Sequence, residues 1–328
     1  MSSRATVATE QVVEEVAHVI AAKGNAVDAA VAAVFAAAAV HPSVLLGPVH
    51  LLLVGQGIGH RAIDGRSLQP GRRARRPRGF VDAASIPPAA RVASPRLPGA
   101  LLLALAMHGK CTPGQVLGPA RDLAKGSARG GVLAHLERRG APGLLDAAIW
   151  DALARAAGPL EGGLLTQADL ADARPDTTPC ALTREGADTF AHLPWVADDR
   201  EAAGESRIVI ASDRAGTVAL AAYEVHAHGV HVPDLDLVAP LQATPVCRGT
   251  PRVAPGTPCA SWAALAVREK EGVVEIALGG PRQPLAALLR AVGAHPFVSP
   301  PGSVALLLSR RGAQVARGGP SPAHPENA

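Results

Sequence analysis

The sequence predicts a layered α+β protein, and three observations carry that expectation. Helical periodicity dominates the chain up to about residue 175, strand-like alternation begins near residue 206, and 48% of the 328 residues are apolar. That much apolar material suffices for one large core or two fused layers. With only three Trp, one Tyr and four Phe, the core must be built from Ala, Val and Leu, which lets elements approach closely.

The elements follow in order. Val12, Val13, Val16, Val19 and Ile20 recur at helical spacing behind Thr9, and Gly24 stands where a C-terminal cap belongs. Asn25-Ala26-Val27-Asp28 has the outline of an N-cap with an acid at its third position, and an Ala-rich helix then runs to Val40 before His41-Pro42 stops it. Apolar on all sides, this second helix is expected to be buried. Residues 51–54 read as a strand, 72–78 as a basic loop, and 100–108, 113–125 and 144–157 as helices punctuated by Pro and Gly. Residues 176–205 are polar, contain Pro179 and Pro194, and read as a linker. The period then switches: 206–211, a turn at 213–216 and 218–223 predict a hairpin, and 263–267 with 273–278 predict another about a charged turn. A helix over 284–292 and a strand over 304–308 follow, with a disordered tail expected from 317 to 328.

Composition narrows the function classes. The net charge of +4 comes almost wholly from Arg, and the few aromatic residues argue against a stacking platform for nucleic acid. Five arginines between Arg72 and Arg78 lack aromatic interleaving or a binding motif, so a solvated loop is favoured over a nucleic-acid or acidic partner. Cys111, Cys180, Cys247 and Cys259 form no CxxC pair or zinc spacing, so a reducing compartment and no metal or other cofactor are expected. The longest apolar run, 29–40, falls short of the roughly 20 residues that span a bilayer. Without a charged start and apolar stretch of secretory type at the N-terminus, a cytoplasmic protein without membrane contact is expected.

Several short strings resemble, in order, the motifs of the γ-glutamyltransferase family. They are Gly24-Asn25-Ala26-Val27-Asp28-Ala29-Ala30, Ala62-Ile63-Asp64-Gly65-Arg66, Val92-Ala93-Ser94-Pro95-Arg96-Leu97-Pro98-Gly99, and Gly163-Leu164-Leu165-Thr166-Gln167-Ala168-Asp169-Leu170. Gly204-Glu205-Ser206-Arg207-Ile208-Val209-Ile210 resembles the start of the family's small subunit, and Pro258-Cys259-Ala260-Ser261 and Gly279-Gly280-Pro281 resemble its later active-site loops. The resemblance implies an N-terminal-nucleophile (Ntn) hydrolase-like αββα sandwich, one structural unit in which 1–175 corresponds to a large subunit and 206–316 to a small one, joined at 176–205. It also implies self-cleavage before a hydroxyl residue, whose freed amine then serves as its base.

Carried over residue by residue, the nucleophile falls on Ser206, followed by Arg207 and Ile208. Two family threonines become Ala222 and Glu224, and an asparagine becomes His226. Arg66, which in the family holds a substrate carboxylate, is retained, a task suited to guanidinium. Of the paired carboxylate-binding serines Ser261 remains beside Ala260. Gly279 and Gly280 precede Arg282 and Gln283, which replace the family's double glycine, and the loop after the second helix is reduced to Leu45-Leu46-Gly47-Pro48. No acid lies within 237–248 to meet a substrate amine.

Each assignment has a plainer counterpart. Ser206 is a nucleophile or a serine that caps the start of a strand. Glu224 orients or deprotonates Ser206, or pairs with Arg207 or Arg66. Thr189, before Phe190-Ala191-His192, is an alternative start without the following strand and turn. His226, His228 and His231, near Asp234 and Asp236, are a metal site or a polar loop. Two function classes therefore stand: an amide or γ-glutamyl hydrolase or transferase acting on a small carboxylate- or amide-bearing molecule, and an unprocessed pseudoenzyme that binds a protein partner. Substrate, acceptor and oligomeric state stay open.

Overall fold

The computed structural model describes residues 4–74, 79–82, 84–195, 204–261, 263–280, 285–294, 296–309 and 312–318. The chain begins with β1 (Ala5–Ala8), α1 (Gln11–Lys23) and α2 (Ala26–Val40). The Asn25–Asp28 capping box forms as its sequence implies: Asn25 Oδ1 accepts from the Val27 and Asp28 amides, and Asp28 Oδ2 accepts from the Asn25 amide at 2.8 Å. Asp28 also receives the Lys110 and Cys111 amides at 3.0 Å, so one buried carboxylate ties the start of α2 to a distant loop. Thr9 does not cap α1. Its hydroxyl instead accepts from the Ile208 amide at 2.9 Å and so stitches the helix to a strand far along the chain.

Next comes the hairpin β2 (Val49–Gly55) and β3 (Gly59–Gly65), then α3 (Leu97–His108), α4 (Pro113–Leu123), α5 (Ala128–Arg139), α6 (Ala147–Ala157) and α7 (Gln167–Ala171). The sequence pattern predicts the start of this sixth helix at 144, three residues before the observed one. Asp146 sets the boundary, because its side chain caps the helix by accepting from the Ala148 amide.

Where polarity suggests a linker, the structure has three strands, β4 (Asp176–Pro179), β5 (Ala181–Glu185) and β6 (Asp188–His192). β4 and β5 are sheet edges, so they need no inward apolar alternation. β6 lies inside its sheet and does bury Phe190 and Ala191. The remaining elements are β7 (Glu205–Ser212), β8 (Val218–Val225), β9 (Gly229–Val232), β10 (Leu237–Pro240), β11 (Ala264–Lys270), β12 (Val273–Gly280), α8 (Leu285–Gly293), β13 (Val304–Ser309) and β14 (Gly312–Arg317). Both expected hairpins form. β14 occupies the first residue assigned to the disordered tail, and positions 319–328 lie outside the described residues.

Two six-stranded antiparallel sheets result, ordered β1-β7-β8-β2-β3-β4 and β14-β13-β12-β11-β6-β5. Leu51, Leu53, Val209, Ala211, Ala219 and Ala221 of the first sheet join one cluster with α1–α6, while Leu52, Val54, Ile208, Ile210 and Leu220 join another with Leu265, Val267 and Leu306 of the second sheet. With both faces of β2 covered, its strand reads as a continuous apolar run rather than an alternation. α8 lays Leu288 and Val292 on the outer face of the second sheet. The order of layers is helix, sheet, sheet, helix, an αββα sandwich. No helix among the described residues is long and apolar enough to cross a membrane.

Candidate functional site

The period of two places the site. On β2, β3, β7 and β8 the residues facing the second sheet include Leu52, Ala62, Ile208 and Ala222. By the same parity His50, Asp64, Ser206 and Glu224 face inward at one end of the sandwich. The ladder pairs His50 with Asp64 and with Ala222, Ile208 with Ala222, and Ser206 with Glu224. A row of polar groups thus replaces the apolar inner layer at its last rungs.

Glu224, 2% exposed, is the hub of this row. The Ser261 hydroxyl donates to its Oε1 at 2.6 Å, the Gln242 amide to its Oε2 at 3.3 Å, and His226 Nε2 lies 3.0 Å from Oε2. Trp195 Nε1–H donates to His50 Nδ1 at 2.9 Å, so the proton of the neutral ring sits on Nε2, which donates to Ser261 Oγ at 2.9 Å. Burial pushes His50 down to about 4, against the Asp64 and Glu224 carboxylates that raise it, and the Arg66 charge lowers it further. One directed chain therefore runs Trp195, His50, Ser261, Glu224.

Loops bring Ser261 and Gln242 here by strapping both onto the segment after β3. The Cys259 amide donates to Ser67 O at 2.7 Å, the Gln69 amide to Thr257 O at 2.8 Å, and Ser67 Oγ to Gln242 Oε1 at 2.8 Å. Asp169 holds that segment from the other side. Its carboxylate caps α7 through Thr166 and accepts from the Gly71 and Arg72 amides.

Arg66 is at the mouth of the site, stacked 5.4 Å from the centre of the Trp195 ring. Its Nε and Nη2 are engaged by Asp64 at 3.0 and 2.8 Å, a two-point pair that occupies the fork. Burial raises the Asp64 carboxyl, but the hydrogen bonds and charge of Arg66 together with the Arg96 charge outweigh it and hold that group below the usual carboxylate range.

Ser206, Glu224, His226, Ser261 and Arg66 are thus brought together. Gly279 joins them: a β-carbon there would lie 2.4 Å from Ile208 Cγ2, so its bare backbone lets β12 close on the start of β7. Gly280 ends β12 opposite Ala264. Arg282 and Gln283, like Arg75, Arg76 and Arg78 of the basic loop, lie outside the described residues.

One plainer role and two functional ones fall away. Glu224 pairs with neither Arg207 nor Arg66: Arg207 is bound to Glu205 and Glu10, and Arg66 to Asp64. The histidine triad does not assemble, because β8 ends at Val225, so that His226 is buried against Glu224 while His228 and His231 are exposed. Among the described residues no group of three metal-ligating side chains is placed to hold an ion. Thr189 is an interior residue of β6, paired with Arg184 and Glu269. The cysteines are unbridged, and burial pushes the Cys180 and Cys259 thiols up to about 12.

His50, Trp195, Gln242 and Asp64 were missing from the sequence-derived site. The signal for His50 was present: it is a polar residue in the apolar strand of 49–55. Trp195 lies inside the stretch that reads as a linker, and Gln242 in the stretch 237–248, which holds no acid.

No family model and no curated protein matches the sequence. The cephalosporin acylase from Bacillus halodurans superposes over 99% of this chain and 97% of its own at a TM-score of 0.67 and 12% identity. A variant of LmbA2991 superposes over 86% of this chain and 79% of its own at 0.62 and 14%. The gamma-glutamyltranspeptidase from Pseudomonas nitroreducens overlaps 59% of this chain and 72% of its own at 0.48 and 19%. The first two establish the shared fold.

Proposed function

We propose that this chain, with its N-terminal-nucleophile hydrolase fold, is a γ-glutamyltransferase-like amide hydrolase or transferase that cleaves itself between Glu205 and Ser206. The observation that supports this most is the place of Ser206 directly opposite Glu224, a buried residue, in the β7–β8 ladder. A hydroxyl is a weak nucleophile at its own pKa and needs a base beside it. Glu224 supplies one before cleavage and a counter-charge for the new α-ammonium after it. The neighbour named a cephalosporin acylase agrees with an amide-bearing substrate.

The acyl group transferred is that of a small amide-bearing acid. Arg66 is the anion anchor, but its fork is closed on Asp64, so a substrate carboxylate must displace that pair or use the remaining Nη1. This favours a substrate whose acidic group is not gripped at two points, and makes γ-glutamyl amides one candidate among several acyl amides.

The second reading is an unprocessed pseudoenzyme that works by binding a partner. It rests on the placement of the cleavage point inside a paired strand: Glu205 faces Val225 in the ladder, and Ser206 is 2% exposed. Intact mass after prolonged incubation separates the two. Fragments meeting between residues 205 and 206, lost in Ser206→Ala, together with hydrolysis of an acyl anilide, support the enzyme. A whole chain that releases no anilide supports the binding protein.

A further inference from the structure

We infer that His226 carries the proton for the self-cleavage at Ser206, working as a pair with Glu224; this rests on the Ser206 reading above. Three features converge on the imidazole. His226 Nε2 lies 3.0 Å from Glu224 Oε2, and both side chains are 2% exposed. The backbone amide of His226 donates to Ser43 Oγ at 2.9 Å, which anchors the residue just past the end of β8. The ring lies against the chain that would be cut: a β-carbon on Gly204 would sit 2.8 Å from Cε1 and 2.9 Å from each ring nitrogen.

That last contact explains the glycine. The φ of Gly204 is not in the left-handed range, so it is the imidazole that excludes a side chain. The histidine therefore closes on the backbone two residues before Ser206, and the buried acid it faces stands opposite Ser206 in the ladder.

The step balances with water as co-reactant. Ser206 Oγ bonds to the Glu205 carbonyl carbon while its proton passes to Glu224. Glu224 hands that proton to His226, and His226 delivers it to the Ser206 nitrogen as the C–N bond breaks, leaving an ester between residues 205 and 206. Water then splits the ester, giving the Glu205 carboxylate and a free Ser206 hydroxyl and α-amine. Proton transfer by a positioned side chain is worth about 100- to 10,000-fold in rate.

The experiment follows cleavage of the full chain by intact mass for wild type, Ser206→Ala, His226→Asn, His226→Gly and Gly204→Ala, with thermal melting to check folding. The expected result is cleavage in wild type, none in Ser206→Ala, and a rate at least 100-fold lower in His226→Asn. Added imidazole should restore cleavage to His226→Gly, which a merely structural role would not produce. Gly204→Ala should also cleave slowly, because the methyl displaces the ring. Wild-type rates in His226→Asn, or no rescue of His226→Gly by imidazole, overturn the proton-carrier role while leaving Ser206 as nucleophile. A wild-type chain that stays whole overturns both.

Discussion

Trp195 donates its indole N–H to His50 Nδ1 across 2.9 Å, and this bond decides which nitrogen of the imidazole holds the proton. The remaining N–H on Nε2 must point at Ser261, which leaves the serine proton for Glu224. His50 is thus a donor to Ser261 and not its base. A protonated ring would have to break the bond from Trp195, because both nitrogens would then be donors.

Stability should accordingly fall with acid through His50. Its value drops from 6.5 to about 4 on folding because burial disfavours the charged ring, so between those limits the unfolded chain binds the extra proton. The stabilisation is complete above 6.5 and is lost as pH falls toward 4, and by linkage it amounts to about 3 kcal/mol. Asp64, also lowered, adds a loss of the same sign at still lower pH. We predict that urea midpoints measured from pH 7 to 4 decline less steeply in His50→Gln than in wild type. Equal slopes would show that His50 is not buried as a neutral ring.

Ser261→Ala removes the hydroxyl between His50 and Glu224. It leaves the Nε2 proton of His50 without an acceptor and takes a 2.6 Å donor from the carboxylate. An unmet buried donor costs about 1–3 kcal/mol, and we predict a loss of that size in urea denaturation. Ser261→Thr, which keeps the hydroxyl, should recover most of it; if both variants match wild type, the chain of bonds contributes nothing to stability.

The parts of this site that were legible in the sequence are those whose geometry is set locally. The turn at 213–216 fixes the register of β7 and β8, and so places Glu224 opposite Ser206 by counting alone. The Asn25 box is likewise written in four consecutive residues. Trp195 and His50 are 145 residues apart, and no local pattern joins them. β4 and β5 escaped because edge strands tolerate polar residues on both faces, so the alternation that marks a strand is absent. Asp169 was legible as part of a motif, while its reach to Gly71 and Arg72 was not.

Gly24 caps the C-terminus of α1 as its position implies, its amide donating to Ile20 O, and it does so with a φ of −119°. That φ is not one that demands glycine, and replacing Gly by Ala where the backbone permits stabilises by about 0.4–1 kcal/mol. Packing opposes the change. A β-carbon would lie 2.3 Å from Asp28 Oδ2 and 2.7 Å from Cys111 Sγ, and Asp28 is held by three backbone amides. Overpacking of this kind costs about 1–3 kcal/mol, so the clash should win. We predict a lower melting temperature for Gly24→Ala, and a higher one would mean that Asp28 can move.

Asp169→Asn tests whether the motif at 163–170 serves the site from a distance. The carboxylate is 2% exposed and accepts from the Thr166, Gly71 and Arg72 amides at distances from 2.8 to 3.1 Å, using both oxygens. An asparagine keeps one acceptor oxygen and turns two N–H groups toward donors. At least one amide then loses its partner in a buried setting, at a cost of about 1–3 kcal/mol. The damage should be directional. The segment pinned by Asp169 is the one that carries Ser67 and Gln69, and through them the loops bearing Gln242 and Ser261. We therefore predict faster amide exchange over residues 67–72 and 256–259 than over β7 and β8. Uniform acceleration across the chain would make Asp169 a general stabiliser with no special hold on the loops around Glu224.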